Sequence, residues 1–143
     1  MSRLNVKDEV IKLIKRFNTN DPFIIAKNLN VIIRLVPIGN IFGYHISDSR
    51  FDVIHINAKL DDEMKIFVCA HELGHAVLHK GVSTNFLRYH SFFTMGKLER
   101  QAHTFAVELI LPDYYLQEHP EFGLYQLADL HGIPRNLVKL KAH

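Results

Sequence analysis

The stretch HELGHAVLH, residues 71–79, decides how the rest of the chain is read. Residues four apart on an α-helix lie one above the other on the same face, so His71 and His75 point two imidazoles at one position. Glu72, one step round the helix, stands beside that position without having to bind an ion there. This is the mechanical content of the H-E-x-x-H pattern: two zinc ligands, and a carboxylate that takes a proton from the water the metal activates. With the 10 His and 7 Glu of this chain, a random shuffle contains the pattern about 3% of the time, so its placement has to carry the argument.

That placement is well marked. Asp61, Asp62 and Glu63 form an acidic helix start that suits the exposed N–H groups and the positive end of the dipole, and apolar residues continue the helix to His79. Gly74 lies inside it, where glycine costs about 1 kcal/mol relative to alanine, a cost best understood if another backbone comes close. The competing reading is two surface histidines and a solvated glutamate.

Outward from this helix the punctuation is clear. Residues 5–17 repeat apolar positions at helical spacing, and Asp21-Pro22 offers a cap and a proline at the first position of a helix through Leu29. Residues 31–36, 41–46 and 51–56 are rich in Val, Ile, Phe and Tyr and are separated by Pro37, Gly39-Asn40 and Asp48-Ser49, which predicts a three-stranded antiparallel meander. Residues 80–96 read as a long loop of the kind that is often functional. A second strong helix runs from Lys97 to Leu111 and stops at Pro112; two short helices, Leu124 to Leu130 and Pro134 to Lys141, meet at His131-Gly132.

A catalytic zinc normally has three protein ligands and one open position. On the helix from Lys97, Leu98, Ala102, Phe105 and Leu109 mark the buried stripe, and Glu99 lies about 70° from its centre, between the small Ala106 and Ile110. Glu108 falls with Lys97, Gln101 and Thr104 and is expected to face solvent. Glu99 is therefore the expected third ligand, its plain alternative being a surface carboxylate near a helix start. His103, one turn after Glu99, borders the site. His79 sits a further turn along and does not follow the H-E-x-x-H-x-x-G-x-x-H spacing, so a supporting or structural role is expected. His45, His55, His90, His119, His131 and His143 have no such companions. Tyr44, His103, Tyr89 and His90 stand unranked as stabilisers of an oxyanion.

The single cysteine, Cys69, excludes an internal disulfide and a cysteine zinc cage, and on the far side of the helix from His71 it is expected in the core. The net charge of +2 comes from scattered Lys and Arg and gives no argument for nucleic acid. The N-terminal residues show neither a secretory signal nor a membrane span, so a cytoplasmic protein with no membrane partner is expected.

HELGHAVLH joined to LERQAHTFAVELILP at 98–112 resembles the ImmA/IrrE family of zinc metallopeptidases, and the likeness extends to DPFIIAKNLNV at 21–31, IFGYHI at 41–46 and FDVIHINAKLDDEMKIFVCA at 51–70. The resemblance implies a cytoplasmic protein, often carried by prophages or mobile elements, that cleaves or inactivates a helix-turn-helix repressor and so derepresses genes. It also implies zinc (Zn2+) on His71, His75 and Glu99, a gluzincin-like set, with Glu72 as catalytic base. Gln101 stands where the family often has a second acidic residue, and His103 where Asn or Asp is common.

The expected fold is α+β and zincin-like: N-terminal helices, a small antiparallel three-stranded sheet, the HExxH helix and a second ligand helix. Residues 1–120 would form the peptidase core and 121–143 a short helical appendage packed on the same domain. A substrate would add as an extended strand at the sheet edge. The rival function is a non-enzymatic regulator that binds a repressor, or binds DNA through the helix-turn-helix-like tail LADLHGIPRNLVKLKAH, with zinc structural or absent. After Pro134, however, only a short helix with one Arg remains, so direct DNA binding is not expected.

Overall fold

The computed structural model describes residues 4–48, 50–84, 86–93 and 96–141, and of His90 the backbone alone. Local chemistry starts each early helix. For α1 (Val6–Phe17), the Asn5 side chain accepts the Asp8 N–H at 3.1 Å, and Asn18 closes the helix at φ 55°. For α2 (Pro22–Asn28), Asp21 accepts the Phe23 N–H at 2.9 Å. The long α3 (Asp62–Leu78) begins where Asp61 accepts the Met64 N–H at 2.8 Å.

Residues Phe67 to Ala76 of α3 are all buried, so this helix is the centre of the molecule and not a surface element. It packs on one side against α4 (Lys97–Ile110) and on the other against α2, β2 (Gly43–Ser47) and β3 (Asp52–Asn57). Two glycines permit these approaches. A Cβ on Gly74 would lie 3.0 Å from the Cβ of Phe105, which is the close neighbour on α4 that a mid-helix glycine implied. A Cβ on Gly43 would lie 2.6 Å from Val68 Cγ1 and 2.7 Å from the His55 carbonyl oxygen, which cannot yield without moving β3. Gly43→Ala should therefore cost about 1–3 kcal/mol, read as a lowered denaturation midpoint; an unchanged midpoint would mean that β2 does not press on α3.

The α+β class holds, but the sheet is mixed, not an antiparallel meander. Its order is β1 (Val31–Val36), β3, β2; β1 runs parallel to β3 with Ile33 opposite Ile54, and β2 runs antiparallel to β3 with His45 opposite Ile54. The turn residues at 37–42 carry the chain past the width of one strand instead of folding it straight back. The Asn57 amide holds that crossing, donating to the carbonyls of Gly39 and Ile41 at 2.9 Å each. β3, whose Ile54 and Ile56 are fully buried, then fills the gap.

The stripe read on α4 needs two corrections. Leu98 is exposed, because the first turn of α4 projects past the core. Glu108 is buried and bonds the buried Lys141 Nζ at 2.5 Å, and Lys141 also reaches Asp113 at 2.8 Å. The segment that covers this side of α4 is a 3₁₀ turn at Arg135–Leu140, which buries Leu137, Val138 and Leu140. Between lie α5 (Asp113–Glu118), for which the sequence reading had no helix, and α6 (Leu124–Leu130), which ends at Gly132 with φ 67°. Cys69 is in the core, as expected.

Candidate metal centre

One turn of α3 stacks His71 and His75 with ring centroids 4.9 Å apart, and both are buried together with Glu72. The first turn of α4 lays Glu99 across them: its Oε1 is 3.2 Å from His71 Nε2, and its Oε2 is 2.6 Å from His75 Nε2. The four residues picked from the sequence thus meet at one place. Glu99 keeps a third of its side chain exposed, so the site opens to solvent on that side.

Glu72 is held differently. Its Oε1 accepts the Thr84 hydroxyl at 3.0 Å, while Oε2, 3.8 Å from His71 Nε2, is buried with no hydrogen-bond partner among the described residues. Burial, with the Glu99 charge adding to it, pushes the Glu72 carboxyl up to about 8 against the pull of Thr84. Burial would raise Glu99 as well, but the hydrogen bond from His71, the short contact with His75 and the charges of both outweigh it and hold this carboxyl well below the usual range. Two carboxylates in one site, driven apart in this way, suit two different tasks.

Thr84 could not be found from the sequence, because no periodicity fixes the path of the loop that carries it. Here it lies along the outer edge of β2. The His45 N–H donates to Thr84 Oγ1 and the Thr84 N–H to the His45 carbonyl, both at 2.9 Å, and the Leu87 N–H donates to Gly43 at 2.8 Å. The Ser47 N–H bonds Ser83 Oγ at 3.1 Å. That edge is therefore taken by the protein's own chain and is not open to an added strand.

Among the oxyanion candidates, His103 lies against His71 with centroids 4.3 Å apart; it is buried, no side chain among the described residues bonds its ring nitrogens, and burial followed by the His71 charge lowers it to about 3. Tyr44 stacks on His55 instead, and Tyr89 stands exposed beside Phe92 and Phe93. The His90 side chain and His143 lie outside the described residues. His79 bonds His75 and Gln101, while His45 is buried against Asp52 at 2.8 Å.

Whether these residues fit a metal can be asked of the geometry. Donors bound tetrahedrally at about 2.0 Å lie about 3.3 Å apart, and His71 Nε2 and Glu99 Oε1 stand at 3.2 Å. His75 Nε2 is buried and its short contact with Glu99 is not aligned as a hydrogen bond. Two buried imidazole nitrogens facing one carboxylate are a donor set that a dication satisfies. Among the described residues, two overlapping clusters have the reach: His71, Glu72 and His75, and His71, Glu99 and His103.

An α+β domain with H-E-x-x-H on its central helix, and a carboxylate delivered to both histidines by the neighbouring helix, has the architecture of a metallopeptidase. Residues 26–143 match the IrrE N-terminal-like domain, peptidase M78. The chain is 38% identical over 141 residues to Uncharacterized immunity region protein 2 of Bacillus phage phi105, covering 95% of this chain and 88% of that one. It is 38% identical over 142 residues to Metallopeptidase ImmA of Bacillus subtilis (strain 168), covering 95% and 83%. The chain belongs to the ImmA/IrrE family of metallopeptidases, as its blocks at 71–79 and 98–112 implied. Protease function, a metal and a protein substrate follow from that membership. Among the described residues no helix is long and apolar enough to cross a membrane.

Proposed function

We propose that the protein is a cytoplasmic zinc endopeptidase that cleaves a helix-turn-helix repressor and so derepresses genes, with His71, His75 and Glu99 holding the zinc and Glu72 acting as general base. The observation that carries this reading is the pairing of Glu99 across both imidazoles beside a buried Glu72 Oε2 that has no hydrogen-bond partner among the described residues. Zinc, when bound, supplies Lewis-acid chemistry, lowering the pKa of water toward 7 and polarising the scissile carbonyl. Glu72 Oε2 takes the proton of the attacking water and delivers it to the leaving amine, while Thr84 fixes the other oxygen so that Oε2 stays aimed inward. Of Tyr44, Tyr89 and His103, only His103 lies against a histidine of this site, where it could steady charge on the substrate oxygen.

The repressor as substrate rests on the resemblance and on the phage relative, whose name places it in an immunity region. The tail gives little support to DNA binding: its Arg135 is engaged with Asp129 at 2.9 Å and over the Tyr125 ring, and Leu127, Ile133, Leu137, Val138 and Leu140 are buried. The first test is metal content. Protein purified without chelator should carry about one zinc per chain, and stripping it should lower the melting temperature, since a ligand bound to the native state alone stabilises it. Protein that is metal-free and also fails to take up added zinc would sink the reading.

A further inference from the structure

We infer that His79 and Gln101 are positioning residues that set the tautomer in which His75 can bind a metal. This rests on the zinc site proposed above. His79 closes α3, its N–H bonded to the His75 carbonyl at 2.8 Å, and its ring turns back so that His79 Nδ1 lies 3.0 Å from His75 Nδ1. On the other side of the ring, His79 Nε2 lies 2.7 Å from Gln101 Oε1. Gln101 stands two residues beyond Glu99, so one stretch of α4 brings a carboxylate to one nitrogen of His75 and an amide, through His79, to the other.

Each neutral imidazole has one N–H and one bare nitrogen. Two facing Nδ1 atoms need one proton between them, which leaves two orders. In the first, Gln101 Oε1 accepts the His79 Nε2–H, His79 Nδ1 is bare and accepts the His75 Nδ1–H, and His75 Nε2 is bare toward Glu99. In the second, every proton is reversed: His75 carries its proton on Nε2, where a metal would have to bind, and Gln101 must turn its NH2 toward His79. A metal on His75 Nε2 selects the first order, in which Gln101 turns its amide oxygen to His79 Nε2, the atom placed 2.7 Å from it, so the amide orientation and the metal site are linked. His71 has no such device, because its Nδ1 has no hydrogen-bond partner among the described residues.

A purely structural role for Gln101 would tolerate any side chain of similar length, whereas the relay demands an acceptor. Zinc affinity of the full chain, read by competition with a chromophoric chelator, separates the two. Gln101→Met should weaken zinc by about 10–100-fold, the usual effect of losing a group that orients a ligand. Gln101→Glu, an acceptor that cannot donate, should bind zinc at least as tightly as the wild type. In a His79→Phe background the difference between the two substitutions should vanish, since no proton then passes through residue 79. Nitrogen NMR of the zinc-loaded wild type should find His79 protonated at Nε2. Thermal melts of the metal-free variants separate lost folding from lost binding.

Gln101→Met binding zinc within about twofold of the wild type, or a Glu-over-Met advantage that persists without His79, would overturn the relay and leave the zinc site standing. His79 protonated at Nδ1 in the zinc-loaded protein would overturn it too. Failure of the wild type itself to bind zinc is a different result, and removes the site on which the relay rests.

Discussion

Glu72→Gln should keep about one zinc per chain and lose cleavage of the repressor by two to four orders of magnitude, the range that a positioned general base contributes. The substitution is nearly isosteric at a buried position. Its amide oxygen can still accept from Thr84, so the loop and β2 keep their contact. What disappears is the unpartnered Oε2, replaced by an NH2 that cannot take a proton. Neither imidazole nor Glu99 is touched, so metal content should stay level with the wild type while turnover falls. On the proposed mechanism, the environment explains why this carboxylate and not Glu99 would serve as base. Burial lifts Glu72 to about 8, whereas contact with two imidazoles keeps Glu99 ionised. A bound dication would draw Glu72 down from there, toward the neutral range in which a base both holds and releases a proton. Undiminished cleavage by this variant would sink the mechanism. Gene derepression in cells that survives the substitution, with cleavage lost, would favour the non-enzymatic regulator.

What the sequence made legible, and what it hid, follow from the reach of local rules. His71 and His75 lie one helical turn apart, and the acidic start at 61–63 fixes the register of that helix, so their shared face needed no tertiary knowledge. Glu99 was reachable because its neighbours on α4 are small and apolar. Sheet order was not, since a strand alternates with the same period whether its neighbour runs parallel or antiparallel. The decisive contact, from Asn57 to the crossing loop, joins residues 16 and 18 apart. Glu108 was misplaced for a related reason: a helical wheel sees the stripe that faces α3, but not a second cover laid on by a chain segment 33 residues away. Thr84 and the relay through His79 are of the same kind. They depend on where a loop and a cap residue return in space, which neither composition nor spacing records.

Glu99→Ala should abolish stoichiometric zinc, weakening binding by more than the roughly 100-fold that loss of an orienting group costs, because it removes the charged donor and leaves two imidazoles on one helix. The fold should survive. Glu99 is partly exposed in the first turn of α4, and the packing of that helix runs through Ala102, Phe105, Ala106 and Leu109, all buried further along. Metal content after gel filtration, set beside a melting curve of the stripped protein, therefore reads ligation separately from folding. The sharper comparison is with His103→Ala. Among the described residues, His71, Glu99 and His103 form a cluster with the same reach as the H-E-x-x-H set, and His103 is buried with no side chain bonded to its nitrogens. If Glu99 completes the site, His103→Ala keeps its zinc and any loss appears in turnover. If Glu99→Ala keeps its zinc and His103→Ala loses it, the third ligand is His103. Glu99 would then be the anion that orders two histidines, and the open position expected of a catalytic zinc would have to lie on its side of the site.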